Sequence, residues 1–457
     1  MDTYPCVVLG AGSAAEPVFR TLRDRPLAVV EAERVGGTCP YLACMPSKAL
    51  LRSASLRSGL RRAVELGAAG RAVDPGAAGP AWARATRRRD AIAEGRDDAE
   101  AAAQLLATGA TLVRGRGVIE GPGRLRVGDR LLAWGALVIA TGSTDVRPTI
   151  PGLDLVPTWS SDEALAADEL PASLAILGGG PVGCELAQVY ASFGSRVTLV
   201  EAESGLLPRE EPLAGELVAE VLRADGAVVR LGTRVEAASL EAGRARLRCH
   251  DGTAIVVDRV LLGLGRRPRT DGIGLETLGL APGGGGLAID DRCRVIGPEH
   301  VYAAGDVTAV APFTHTAAYQ GRIVASALAG GSARADYRAI PRVVYTTPPV
   351  AAVGRTESQA RAEGAEVVTA EAEVGATARA AADGDRLGRV KLVADREEGI
   401  LLGACAVGGG ADAFIGELAL AIRARVPVAL LAELVHPFPS QPEVLEPALR
   451  SLAAACT

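Results

Sequence analysis

The sequence predicts an α/β fold: two dinucleotide-binding units of the doubly wound kind, then a third, α+β section. Three observations carry this. A glycine-rich turn between an apolar run and a helical stretch occurs twice, at Gly10-Ala11-Gly12-Ser13-Ala14-Ala15 and at Gly178-Gly179-Gly180-Pro181-Val182-Gly183. Each is followed, about 20 residues on, by a second apolar run ending in an acid, Glu31 and Glu201. From about Tyr337 the strand-like and helix-like stretches continue without nucleotide glycines.

In the first unit, residues 4–9 form an apolar run. A helix to about Arg23 follows the turn, and Leu27 to Val30 leads into Glu31. Gly10 and Gly12 let backbone N–H groups approach a pyrophosphate at the helix N-terminus, and Glu31 accepts from ribose hydroxyls. Ala15 stands where a third glycine is common. One such pattern arises readily by chance among 55 glycines; two, each with its acid, imply two dinucleotides. A flavin plus a nicotinamide is the economical pair.

The second unit repeats the first. Leu174–Leu177 is the strand, Gly178, Gly180 and Gly183 open a helix to about Phe193, and Val197–Val200 ends at Glu201. A carboxylate here bonds the free ribose hydroxyls of NADH and repels the 2′-phosphate of NADPH. The next arginine is Arg209, so NAD(H) is expected and NADP(H) disfavoured.

Between these units, residues 52–110 read as two helices interrupted around 67–80, and residues 111–140 as short strands. Pro148, Pro151 and Pro157 mark a boundary. Residues 283–286 are a loop, a strand follows to Gly305, and a helix is expected near Ala411–Arg423.

Composition narrows the functions. A formal charge of −5 argues against nucleic acid. No apolar run approaches the ~20 residues of a membrane span. The N-terminal MDTYPCVVLG lacks the basic start of a signal peptide. Eight cysteines without a signal point to a reducing, cytoplasmic setting, where a cysteine pair is catalytic or metal-binding more often than structural. The four histidines form no Cys/His cluster, so no metal site is expected.

Residues 36–51 read GGTCPYLACMPSKALL, with Cys39 and Cys44 at the entrance of a helix. Pro46 suits a first turn, where its missing N–H costs nothing, and Ala49, Leu50 and Leu51 carry the helix onward. A thiol at a helix N-terminus faces unpaired N–H groups and the positive end of the dipole, which favours thiolate. Lys48 shares the helix face of Cys44. It goes against the chain's bias, since only Lys48 and Lys391 are lysines among 49 basic residues. Spacing alone also suits two small buried hydrophobes beside a surface lysine.

With its flanks Gly36-Gly37-Thr38 and Pro46-Ser47-Lys48, the stretch resembles the redox-active disulfide segment of the pyridine nucleotide–disulfide oxidoreductases, GGTCxNxGCxPSK. It departs within Tyr41-Leu42-Ala43, where the family has Asn and Gly. The resemblance covers nearly the whole chain in the expected order. Ala140-Thr141-Gly142 resembles the exit from the FAD domain, Gly265-Arg266-Arg267-Pro268 the return crossing, and Val301 to Asp306 the second FAD signature. It implies an FAD-binding domain over 1–150 and 269–336, an NAD(P)H-binding domain over 151–268, and a dimerisation domain over 337–457. Gly37, Thr38, Thr141, Gly142, Gly265, Arg266, Gly305 and Asp306 then join the glycines and acids above as cofactor-binding residues.

The resemblance also implies an activity. Electrons pass from NADH through FAD to a Cys39–Cys44 disulfide and on to a small disulfide or a dithiol such as dihydrolipoamide. The other readings are a quinone or mercuric-like metal-ion reductase, and a redox-sensing flavoprotein with slow turnover. Cys44 is the thiolate near the flavin, Cys39 the exchange thiol, and Lys48 pairs with Glu185. The family is homodimeric, with a His from the partner's C-terminal domain serving as acid–base group. His436 is the candidate, oriented by Glu443. The family places that Glu five residues after the His; here Glu443 is seven after His436, and counting back five lands on Phe438.

Overall fold

The computed structural model describes residues 1–74, 76–281 and 283–456, and the chain forms two compact units. The first comprises Met1–Pro46, Arg88–Val146 and Gly265–Asp336. The second comprises Ser47–Arg87, Arg147–Leu264 and the chain from Tyr337 on.

The first unit is built on parallel strands in the order Thr111–Arg114, Leu27–Glu31, Asp2–Leu9, Arg130–Ile139 and Val301–Ala303. Near its start, Arg130–Ile139 also pairs antiparallel with Arg124–Val127, which pairs with Gly117–Gly121. Every residue of Leu27–Glu31 is buried, as expected for a strand covered on both faces. Asp2–Leu9 is buried only from Cys6 to Leu9, the end that leads into the glycine turn. Strand order reverses at Asp2–Leu9, and ligands of such sheets bind beyond the carboxyl ends of the strands at that reversal.

Where the sequence suggested two helices over 52–110, three α-helices occupy that stretch among the described residues: the end of Cys44–Arg61, then Ala78–Ile92 and Ala99–Leu106. Glu94, Gly95 and Arg96 all have positive φ, which breaks the path between the last two.

The second unit has a parallel sheet in the order Val228–Arg230, Arg196–Val200, Ser173–Leu177, Arg259–Leu262 and Thr158–Trp159. Beside it in sequence is a three-stranded antiparallel sheet, Val235–Glu241, Arg244–Cys249 and Ala254–Val257. The section from Tyr337 forms a five-stranded antiparallel sheet, Arg342–Val344, Val350–Gly354, Ile400–Val407, Arg389–Asp395 and Val367–Glu373. Helices Ala411–Ala424 and Leu445–Ala455 pack on it. Leu445, Ala448, Leu449 and Leu452 give the latter helix its single buried stripe.

Residues 47–87 join this unit through aromatic packing. Trp82 is 2% exposed and lies 5.2 Å from the Tyr190 ring and 5.1 Å from that of Phe193. Leu50, Leu51 and Ala54 share the same core with Ile176 and Leu199. The stretch 1–150 thus contributes to both compact units. Among the described residues no helix is long and apolar enough to cross a membrane.

Candidate active site

Within the first unit, the glycine turn leaves a bare stretch of backbone. Gly10 has φ +104, and a Cβ there would lie 2.3 Å from Ala140 O, so the turn closes only with glycine. A Cβ on Gly37 would come within 2.9 Å of Gly12 Cα. Ala15 is tolerated because its methyl belongs to the apolar core. Glu31 is fixed by two amides: Oε2 accepts from Ala11 N at 2.7 Å and Oε1 from Glu33 N at 2.6 Å.

The return crossing closes the same unit. Strand Arg266–Pro268, preceded by Gly265, pairs antiparallel with Ser143–Asp145. The Thr141 hydroxyl donates to Arg269 O at 2.8 Å, and Arg269 N donates to Gly142 O at 2.9 Å. Arg266 Nε donates to Ser143 Oγ at 2.9 Å, and Ser143 in turn donates to Asp306 Oδ2 at 2.6 Å. Gly305 N donates at 2.6 Å to the buried Gln320 Oε1. Unobstructed N–H groups for a pyrophosphate, a fixed carboxylate for a ribose and Asp306 for further hydroxyls are a donor and acceptor set that fits FAD.

The two cysteines stand in this unit at helix starts. Thr38–Leu42 is a short helix carrying Thr38 and Cys39; Ala43 breaks it with φ −130 and ψ −92, and Cys44 opens Cys44–Arg61. Both thiols are unbridged and half-buried. They hydrogen-bond to each other, and that bond, followed by burial, pushes the Cys39 thiol well above the usual range, so Cys39 keeps its proton. Thr314 Oγ1 lies 3.4 Å from Cys44 Sγ.

The second unit repeats the cradle. Gly178 has φ +107, and a Cβ there would lie 2.4 Å from Gly263 O. Gly180 faces open space, while a Cβ on Gly183 would meet Gly178 O at 1.9 Å. Helix Pro181–Ser192 therefore presses harder on its strand than the first unit's helix does at Ala15. Glu201, 8% exposed, accepts from Gly179 N at 2.6 Å and Glu203 N at 2.8 Å, in the pattern of Glu31. Lys48 Nζ donates to Glu185 at 2.8 and 3.1 Å. Tyr345 completes the cluster: its N–H donates to Glu185 Oε1 at 2.9 Å and its ring lies 4.6 Å under the ammonium.

The expected pairing of His436 with Glu443 is not what forms. The His436 side chain is 5% exposed, with Nε2 3.4 Å from Glu417 and Nδ1 3.4 Å from Glu446. Gln441–Val444 winds as a tight turn into Leu445–Ala455, which brings Glu446 rather than Glu443 to the ring. Glu443 instead accepts from Arg379 N at 3.0 Å, in the first turn of Ala378–Asp383. Phe438 is 81% exposed.

Sequence reasoning missed Thr314, Ser143, Gln320, Tyr345, Glu417 and Glu446. Tyr345 makes its contacts through its backbone N–H and its ring face, which no motif marks. Thr314 and Ser143 meet their partners across 270 and 163 residues, and Gln320, Glu417 and Glu446 meet theirs across 15, 19 and 10 residues but from separate elements, so none leaves a periodic trace.

The chain matches the family described as pyridine nucleotide-disulphide oxidoreductase over residues 4–321, and that family's dimerisation domain over 340–449. It is 35% identical to a mercuric reductase of Streptomyces lividans, covering 99% of this chain and 96% of that protein. It is 33% identical to a dihydrolipoyl dehydrogenase of Thermus scotoductus, covering 99% and 98%. Among solved structures, a Cu(II) complex of the HOCl-induced flavoprotein disulfide reductase RclA from Escherichia coli superposes with a TM-score of 0.85 at 29% identity, over 97% of this chain and 99% of that one.

Proposed function

This chain belongs to the pyridine nucleotide–disulfide oxidoreductases, and from that premise we propose that it carries electrons from NADH by way of FAD to the Cys39–Cys44 pair and on to a small disulfide or dithiol. The family implies FAD and a pyridine nucleotide; the choice of NADH rests on Glu201. In this reading 1–150 with 269–336 hold FAD, 151–268 the nicotinamide, and 337–457 the interface of a homodimer, which the dimerisation-domain match supports.

The thiol pair carries the reading. Two unbridged cysteines, hydrogen-bonded to each other at helix starts, stand in the same compact unit as the cradle that suits FAD. Bound FAD supplies the two-electron relay between a nicotinamide and a disulfide. The chain's own groups do the rest. The glycine turns seat the pyrophosphates, Glu31 and Glu201 hold the riboses, and Glu185 with Tyr345 fixes the Lys48 ammonium in place.

His436 favours a second class of acceptor. Disulfide exchange needs a group that protonates the leaving thiolate and recovers the proton from Cys39, help typically worth about 10²–10⁴-fold. The His436 ring is enclosed by Glu417 and Glu446. A thiol-binding metal ion displaces the Cys39 proton to solvent as it binds both sulfurs and leaves no departing thiolate to protonate, and relatives named mercuric reductase, with a neighbour solved as a Cu(II) complex, make Hg(II) and Cu(II) the ions to try.

Steady-state NADH oxidation with dihydrolipoamide's disulfide form, other small disulfides, quinones, Hg(II) and Cu(II) as acceptors is the test. Disulfide turnover that falls about a hundredfold in His436→Ala supports the first reading. Metal-ion turnover untouched by that substitution supports the second. Quinone reduction alone, indifferent to Cys44→Ser, refutes both.

A further inference from the structure

Lys391 is one of only two lysines among 49 basic residues, and no step of the proposed reaction uses it. Its side chain is 12% exposed, and Nζ donates to Glu211 Oε2 at 2.8 Å and to Glu357 Oε2 at 2.7 Å. An ammonium has three donors and no fixed plane, so it can serve two carboxylates from different elements at once. Glu211 precedes helix Pro212–Ala224, and its other oxygen accepts from Glu357 N at 2.6 Å. The neighbouring acid is held in a similar way. Arg342 grips Glu210 with Nε and Nη2, each 2.8 Å from a carboxylate oxygen, while its Nη1 donates to Gly354 O at 3.0 Å. Two adjacent acids are thus fastened to strands Arg389–Asp395 and Arg342–Val344 of the section beyond Tyr337.

What those acids hold is the loop after Glu201. Leu206 and Leu207 are buried, and Leu207 stands at φ +51, a left-handed conformation that disfavours a residue with a side chain. Such a conformation persists only where its surroundings fix it. Leu207 N donates to Gly179 O at 2.9 Å, and Glu210 N donates back to Leu207 O at 2.9 Å. A Cβ on Gly179 would meet Leu206 Cδ2 at 2.4 Å, and one on Gly215 would meet Leu206 O at 2.1 Å. Gly179 is the residue whose N–H fixes Glu201. One end of the loop therefore packs on the glycine turn, and the other ends in the two anchored acids.

We propose that Lys391 and Arg342 are positioning residues of the second dinucleotide cradle: by anchoring Glu211 and Glu210 they hold Leu206 and Leu207 against Gly179 and so set the grip of the site on NADH. This rests on the reading of the second glycine turn with Glu201 as the NADH site. Both side chains act through the loop rather than on the nucleotide. Nucleotide affinity then depends on the section that matches the dimerisation domain.

Stopped-flow flavin reduction of the FAD-loaded holoenzyme over a range of NADH concentrations is the test. Lys391→Met keeps the length of the stem and removes the charge, leaving Glu211 and Glu357 to repel each other. The half-saturating NADH concentration should rise about tenfold at an unchanged limiting rate, the signature of lost binding rather than lost chemistry. Adding Glu357→Gln removes the repulsion and should restore part of the affinity. Arg342→Met releases Glu210 alone; it should shift half-saturation in the same direction, and it carries the test if Lys391→Met does not fold. Arg389→Met breaks the exposed pair with Glu373 on the strand of Lys391 and should change neither quantity. An unchanged half-saturation in Lys391→Met or Arg342→Met, a loss confined to the limiting rate, or a rise that Glu357→Gln does not relieve overturns the proposal. Failure of the underlying reading shows separately, as a wild-type flavin that NADH does not reduce, and it takes the proposal with it.

Discussion

Replacing Glu201 by Gln separates charge from shape at the proposed nicotinamide site. The carboxylate is 8% exposed and each oxygen takes a backbone N–H, at 2.6 and 2.8 Å, so it has no route to swing away from an incoming ribose. A 2′-phosphate brings about −1.5 to −2 charges at neutral pH. One pair of unit charges about 5 Å apart interacts by roughly 3 kcal/mol at an effective dielectric of about 20. At about 1.4 kcal/mol per tenfold, the wild-type protein should favour NADH by about 10²-fold or more. Gln removes the repulsion, but its NH₂ faces one of the two amides. That leaves a donor unpaired and costs about 1–3 kcal/mol for either nucleotide. We expect kcat/KM for NADH to fall about tenfold and that for NADPH to rise about tenfold. Stopped-flow flavin reduction by each nucleotide measures this directly. Equal rates in the wild type, or a ratio that Glu201→Gln leaves unchanged, would refute the reasoning.

Other substitutions probe neighbouring steps. Gly183→Ala places a methyl 1.9 Å from Gly178 O, so NADH-dependent flavin reduction should collapse while FAD content stays at wild-type level; a normal KM for NADH would contradict this. Lys48→Met leaves Glu185 with Tyr345 N but no cation. Losing one partner of a fully buried pair costs about 3–5 kcal/mol, and the 37% exposure of Lys48 brings that to about 2 kcal/mol. The melting temperature should drop and recover in part with Glu185→Gln; no change on melting would remove the pair from the stability account. Cys44→Ser should abolish NADH-driven reduction of disulfides and metal ions and spare quinone reduction, read as NADH oxidation with each acceptor; retained disulfide turnover would assign the couple elsewhere.

Much of the glycine-turn geometry was legible because it is local. A turn that forbids Cβ, followed by a strand ending in an acid, must be written in consecutive residues, and Gly10 with Glu31 and Gly178 with Glu201 are. The cysteine stretch was legible for the same reason, through helix-start chemistry around Pro46. What escaped joins distant segments. Thr314 reaches Cys44, Tyr345 reaches Glu185 and Ser143 reaches Asp306 across long chain separations, each by one polar contact that imposes no pattern on its neighbours. His436 shows the limit of counting. The family resemblance implied a dyad with Glu443 despite a spacing of seven instead of five, but the turn at Gln441–Val444 sends Glu443 to Arg379 and brings up Glu446 instead. The packing of 47–87 with the second unit was equally hidden, because it is decided by Trp82 against Tyr190 and Phe193.

The central claim is that Cys39 and Cys44 are a couple reduced by NADH through FAD. Anaerobic titration of the oxidised holoenzyme with NADH, with alkylation and peptide mapping at each step, tests it most directly. The account predicts that NADH is consumed beyond the amount the flavin alone accepts, and that new labels appear at Cys39 and Cys44 together. A titration that ends when the flavin is bleached, with neither cysteine gaining a label, would contradict it.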